Sequence, residues 1–291
     1  MRGPGPGVEL ESRMFARSSA VLRTLFGIWA VVVALLLPVR AGAEEEEEEE
    51  REHFQLKLSP SYDEGGFGTS ERTRTFVVPL TVRYLGEKFD VAATFSFVRI
   101  DSPGDVVILE GAPTPTGRVA GARRVDSGFG DIVLKGRYFL IEDPGLPSPV
   151  PSIVPFVKLK IPTGDASKNL STGEPDWGFG VEWDKTFGRW IVFGDASYTV
   201  IGDPEGSDFR NRPAASIGAG YKISDLVTVS GLLDWRRALV ASRDDPLELL
   251  WLATFRITRT LAVTPNVLVG LTNGSPDWGI GIELSYKFGR W

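Results

Sequence analysis

The stretch EPDWGFGVEWDKTFGRW (Glu174–Trp190) returns at the end of the chain as SPDWGIGIELSYKFGRW (Ser275–Trp291), with ten of seventeen positions identical. In the second copy Ile280, Ile282, Leu284, Tyr286 and Phe288 alternate with Gly279, Gly281, Glu283, Ser285 and Lys287. In the first, Phe179, Val181 and Trp183 alternate with Gly180, Glu182 and Asp184. A period of two puts successive side chains on opposite faces of a strand, so each copy predicts a strand with one apolar and one polar face. Both segments exceed the roughly 5–6 residues of an average soluble strand. They match the roughly 9–11 residues of a tilted strand that crosses a bilayer.

The same alternation runs through most of the chain. It predicts twelve strands, near 54–62, 72–85, 88–100, 128–141, 152–162, 176–187, 189–201, 212–223, 225–236, 247–257, 260–271 and 277–288. Short connections such as Gly86-Glu87-Lys88, Gly188 and Thr258-Arg259 alternate with long ones such as Asp101 to Ser127 and Thr163 to Pro175. Glu142 to Pro151 is a long exception on the short side. Short periplasmic turns and longer outer loops are the pattern of outer-membrane barrels. The fold class expected is therefore all-β, an antiparallel transmembrane β-barrel of about twelve strands.

This count explains the repeated phrase. Six strand-to-strand steps separate the copies, an even number, so both run in one direction. PDWG then sits at the outer rim and FGRW at the periplasmic rim. Trp177 and Trp278 would join one aromatic girdle; Trp190, Phe288 and Trp291 would join the other. Pro79, Pro155 and Pro265 fall inside these strands. Each removes a ladder bond, so bulges or shifted boundaries are expected there.

Composition narrows the chemistry. The 291 residues carry a net charge of -6, no cysteine, two methionines (Met1 and Met14) and one histidine, His53. Disulfides, thiolate catalysis and cysteine-ligated metals are excluded. A Ser-His mechanism needs a histidine beside its serine, and His53 adjoins an acidic run, so no enzyme activity, cofactor or metal centre is expected. No glycine-rich phosphate loop precedes a helix, and no nucleic-acid partner is implied. Asp176 and Asp277, each beside a tryptophan, read as solvated loop aspartates.

Residues 1–43 read as a secretory signal peptide. Arg17 and Arg23 precede the apolar run Leu25–Leu37, and Ala41-Gly42-Ala43 suits cleavage. Met14 offers a more typical start. Residues 44–53, beginning with a run of glutamates, read as an acidic, disordered leader. Residues 54–291 form the barrel, a single domain. No later stretch holds 18 consecutive apolar residues, so the rest crosses a membrane as a closed barrel or not at all.

Three segments stand in order: GFGDIVLKGRYFL (128–140), PFVKLKIPTGD (155–165) and STGEPDWGFGVEW (171–183). Together they resemble the outer-membrane β-barrel "transporter" family of the MetA-pathway of phenol degradation type, over roughly residues 54 to 288. The resemblance implies passage of small, often aromatic or apolar, compounds. The C-terminus also resembles the signal read by the barrel-assembly machinery. Either Phe288 or Trp291 is the terminal aromatic.

With the apolar faces turned to lipid, the lumen receives Lys135, Arg137, Lys158 and Lys160 from one sector and Glu182, Asp184 and Asp195 from the next. Asp234, Arg236, Glu248, Arg256, Glu283 and Lys287 complete the expected pore lining. Charged walls are how pores select. The function expected is an outer-membrane pore for passive passage of small organic solutes, with the bilayer and the assembly machinery as partners. The alternative is a closed barrel, structural or ligand-binding, braced by salt bridges and recognising ligands in its outer loops.

Overall fold

The computed structural model describes residues 53–118 and 121–289. The expected signal peptide, nearly all of the acidic leader, and Trp291 lie outside these residues.

Twelve antiparallel strands form the wall. They are β1 (Phe54–Leu58, resuming as Ser61–Gly65), β2 (Thr73–Leu85), β3 (Phe89–Ser102), β4 (Arg124–Phe129, resuming as Ile132–Tyr138), β5 (Ser152–Ile161) and β6 (Asp176–Phe187). Then come β7 (Trp190–Val200), β8 (Arg212–Lys222), β9 (Val227–Arg236), β10 (Leu247–Arg256), β11 (Leu261–Gly270) and β12 (Trp278–Phe288). Each pairs with its neighbours in sequence, and β12 pairs with β1 through Phe54↔Phe288 and Tyr62↔Ile280. That last pairing closes the sheet. A closed barrel leaves no strand edge, so the ladder groups of the first and last strands also find partners without water. All twelve expected strands are present, and β6 and β12, the two copies of the repeated phrase, run in the same direction.

The outer face is apolar. Phe76, Leu80, Val82, Phe95, Val157, Phe179, Ile280 and Leu284 are among its exposed side chains. A continuous belt of this kind is stable in hydrocarbon and is a liability in water.

Proline acts differently at its three strand positions. Pro79 and Pro265 sit in register, opposite Ser96 and Ile282. Each removes a donor without shifting the pairing. Pro155 does sit beside a bulge. Arg137↔Phe156 and Ile141↔Ile153 bracket three residues of β4 against two of β5. A second bulge splits β4 at Gly130-Asp131. There Thr94↔Val133 and Phe97↔Phe129 bracket three residues against two. Bulges re-aim side chains, and this one turns Asp131 inward.

The long connection from β3 to β4 is not a plain loop. Val106–Leu109 and Ala112–Pro115 pair as a hairpin. Val106 and Ile108 pack on Val77, Val98 and Ile100 of the wall, with Phe67 and Leu170 from other loops. Val107 and Leu109 pack the opposite way, on Ile201 and Leu239 with Phe209. Both faces of the hairpin are thus buried in the long-loop end of the barrel. Glu110 and Gly111 form its tip, at φ 52 and 84. Glycine takes that conformation freely, whereas a glutamate there is uncommon and held by its surroundings.

Candidate functional site

The inner face is defined by cross-strand pairs, which share a face of the sheet. One row runs Glu182↔Asp195↔Ser216↔Asp234↔Glu248 across β6 to β10. The next runs Asp184↔Phe193↔Gly218↔Leu232↔Leu250↔Leu268 across β6 to β11. The first row is polar and the second is mostly apolar, so on these strands the lumen carries a charged band and, two residues nearer the short-turn end, a leucine-rich band. The alternation rule missed the second. The run LELLWLA (247–253) shows no clear period of two, because leucines occupy both faces of β10.

Toward the long-loop end, three separate sequence segments meet at one cation. Lys160 Nζ lies 2.9 Å from Asp176 Oδ2, 3.4 Å from Asp131 Oδ2 and 2.5 Å from Thr172 Oγ1. Asp131 also accepts from Gly164 N at 3.0 Å and from the Ser171 hydroxyl at 2.9 Å. Asp176 accepts from Gly202 N at 2.8 Å. The Lys160 side chain is 0% exposed. It is enclosed by protein and braces loop to wall, so it faces no water in the lumen. Asp176, read from the sequence as solvated, is buried for the same reason. Asp277, its counterpart in the second copy, is half exposed and pairs with Arg72 at 3.4 Å.

At mid-barrel, Lys158 Nζ lies 2.6 Å from Glu110 Oε2 on the hairpin tip. This pair sits between two cavities. One, of about 300 Å³, is lined by Thr94, Ser96, Lys135, Phe156, Asp195 and Ser197 among others. The other, of about 110 Å³, is lined by Leu109, Ser197, Thr199, Ile201, Arg212 and Arg236 among others. Glu110 and Lys158 line both.

Nearer the short-turn end, Glu182 accepts from Lys135 at 2.5 Å and from Arg137 at 2.9 Å. Arg137 also forks onto Asp90, which is 1% exposed. The basic and acidic walls therefore join directly instead of facing each other across open space. Room for the Phe156 ring comes from Gly180. A Cβ there would lie 2.6 Å from the ring.

The remaining expected lining residues divide. Arg236 is held between Glu248 and Asp234. Glu283 pairs with Lys57 at 2.9 Å. Asp195 accepts from the Ser216 hydroxyl. Asp184 lies on the inner face opposite Phe193. Arg256 and Lys287 are exposed at the short-turn end. Of the expected girdle, Trp177 and Trp190 are more than half exposed on the outer face. Trp278 packs on Tyr62 and Trp190 on Tyr221. Phe288 stacks on Phe54 and Tyr286.

Sequence reasoning missed three site residues, Glu110, Asp131 and Arg212. The signal for Glu110 was available: VVILEG (106–111) is an apolar run ending in a turn, inside what reads as a loop. Asp131 sits in the G-x-G-D phrase, but its inward aim needs the bulge.

Outside the strands, Asp143 in the β4–β5 connection is held well below the usual carboxylate range, at about 2. Its bond from Lys185 is the largest cause, with backbone N–H donors from Thr186 and Gly145. Burial pushes Asp105, at the hairpin base, the other way.

A family model described as "Putative MetA-pathway of phenol degradation" matches residues 64–288. No curated protein matches the chain. Among solved structures, an outer membrane channel from Pseudomonas putida F1 is similar at 16% identity and a TM-score of 0.62, covering 86% of this chain and 100% of that one. The translocator domain of the autotransporter NalP from Neisseria meningitidis is similar at 11% identity and a TM-score of 0.51, covering 94% and 98%. The KdgM porin in complex with disordered oligogalacturonate is similar at 8% identity and a TM-score of 0.50, covering 81% and 99%.

Proposed function

The chain belongs to the MetA-pathway of phenol degradation family, and from that membership and the lumen just described we propose an outer-membrane barrel that passes small molecules passively. Aromatic and other small organic compounds are the solute class the family description supports. One observation carries the reading: an apolar-belted, closed wall encloses two cavities of mixed polar and apolar lining, with the Glu110–Lys158 pair bordering both. A lumen of this polarity is wet or braced, because buried charges need water or partners. Twelve strands enclose less space than the 16 to 18 of open porins, so the hairpin tip sets the narrowest passage.

The bilayer surrounds the outer belt. The last strand presents Leu284, Tyr286 and Phe288 outward, the alternation an assembly machine reads. The reading assigns no catalysis to His53, which lies at the short-turn end with its ring near Tyr84.

Single-channel recording in planar bilayers tests this. Stable current steps are expected from the folded protein, and Lys158→Gln is expected to move selectivity toward cations. Folded, inserted protein that gives no steps would replace the pore with a second reading, a closed binding or structural barrel. The buried hairpin and the Glu182–Lys135–Arg137 brace favour that second reading.

A further inference from the structure

Resting on the pore reading, we propose that the cavity between the hairpin tip and β7–β9 is a carboxylate subsite anchored by Arg212. It would take the anionic end of a small organic solute.

The charges around this cavity are nearly all matched. Lys158 is matched by Glu110, and Arg236 by Asp234 and Glu248. Arg212 is the exception. It is 8% exposed and lines the cavity. Its Nε donates to Arg237 O at 3.1 Å, and its terminal nitrogens have no acceptor among the described residues. No carboxylate of the described residues lies within 4.0 Å of it. A buried guanidinium with no carboxylate in direct contact is costly. Its planar fork matches a carboxylate with two parallel hydrogen bonds.

The rest of the lining fits a short amphipathic anion. Ser197 and Thr199 offer hydroxyl donors, while Leu109, Ile201 and Ala214 offer an apolar side. A volume of about 110 Å³ holds a carboxylate with a few carbons. Glu110 already places one carboxylate at the edge of this space, on Lys158, and shows that the local field accepts a negative group.

The test is calorimetric titration of the folded full chain in detergent with butyrate and with its neutral match, butyramide. Butyrate is expected to bind at least about tenfold more tightly, the scale of a charge-assisted fork. Arg212→Gln is expected to remove that preference and leave butyramide unchanged. Arg212→Lys keeps the charge without the fork and should restore part of it. If Arg212→Gln does not fold, Ala214→Asp supplies a second variant, placing a resident carboxylate in the cavity and abolishing butyrate binding. Equal binding of the two ligands, no binding of butyrate, or wild-type affinity in either folded variant overturns the subsite. The titration reads the site whether or not the barrel conducts. Butyrate binding without conductance would sink the pore and spare the subsite.

Discussion

Lys160 Nζ and Asp176 Oδ2 lie 2.9 Å apart with neither side chain open to solvent, and they join β5 to the strand that opens the repeated phrase. Asp131, aimed by its bulge, completes the cluster at 3.4 Å. Removing one partner from a buried ion pair leaves an uncompensated charge, at about 3–5 kcal/mol. Lys160→Met is expected to destabilise by that amount. Adding Asp131→Asn and Asp176→Asn to it should recover much of the loss. Urea unfolding in lipid vesicles, followed by tryptophan fluorescence, measures both.

The faces of β5 give a second expectation. Val157 points outward and is 64% exposed, while Lys158 points inward. An arginine on the lipid face near mid-membrane costs about 2–4 kcal/mol. Val157→Arg should show that loss in the same unfolding assay, whereas Lys158→Arg, on the lumen side, should show little.

The proposed constriction is the hairpin tip, where Glu110 meets Lys158. Replacing residues 106–115 with a short Gly-Ser linker removes the Val106–Leu109 strand and the Glu110 tip from the lumen. Single-channel conductance should rise severalfold. Unchanged conductance would place the constriction elsewhere.

Gly180 gives the Phe156 ring its space, with a Cβ position only 2.6 Å from it. Overpacking at such a contact costs about 1–3 kcal/mol. Gly180→Ala should destabilise within that range, and Phe156→Leu in the same chain should relieve only the ring's share, because the Ala196 backbone oxygen lies closer still, at 2.5 Å.

Asp143 carries a pH dependence. Its carboxyl falls from 3.8 in the unfolded chain to about 2 in the fold, chiefly through Lys185. A lowered folded value contributes stability above the unfolded value and loses it as pH falls through the folded one. The difference between wild type and Asp143→Asn should therefore hold from neutral pH to about 4 and vanish by about 2. Acid titration of heat-modifiable gel migration reads it.

The wall was legible in the residue pattern alone. Period-two alternation in segments of membrane-crossing length, with even strand counting between the two WG phrases, gave the strand number, the closure and the common direction of β6 and β12. Those features depend on local pattern, because a strand with one apolar face has one way to sit in a bilayer. Tertiary structure decided the lumen. The phrases G-x-G-D, P-T-G-D and S-T-G-x-P-D stand apart in sequence, and only the bulge at Asp131 and closure of the loops bring them to Lys160. Val106–Leu109 carries no alternation because both its faces are buried, so the pattern that located the wall could not mark the hairpin. Of the charges read as a basic and an acidic sector, Lys135 and Arg137 meet Glu182, while Lys158 meets Glu110 of the hairpin, because which charges meet across a barrel depends on register and loop path. Those are long-range quantities, and Arg212 became conspicuous only once Lys158 and Arg236, the other cations lining its cavity, had been matched.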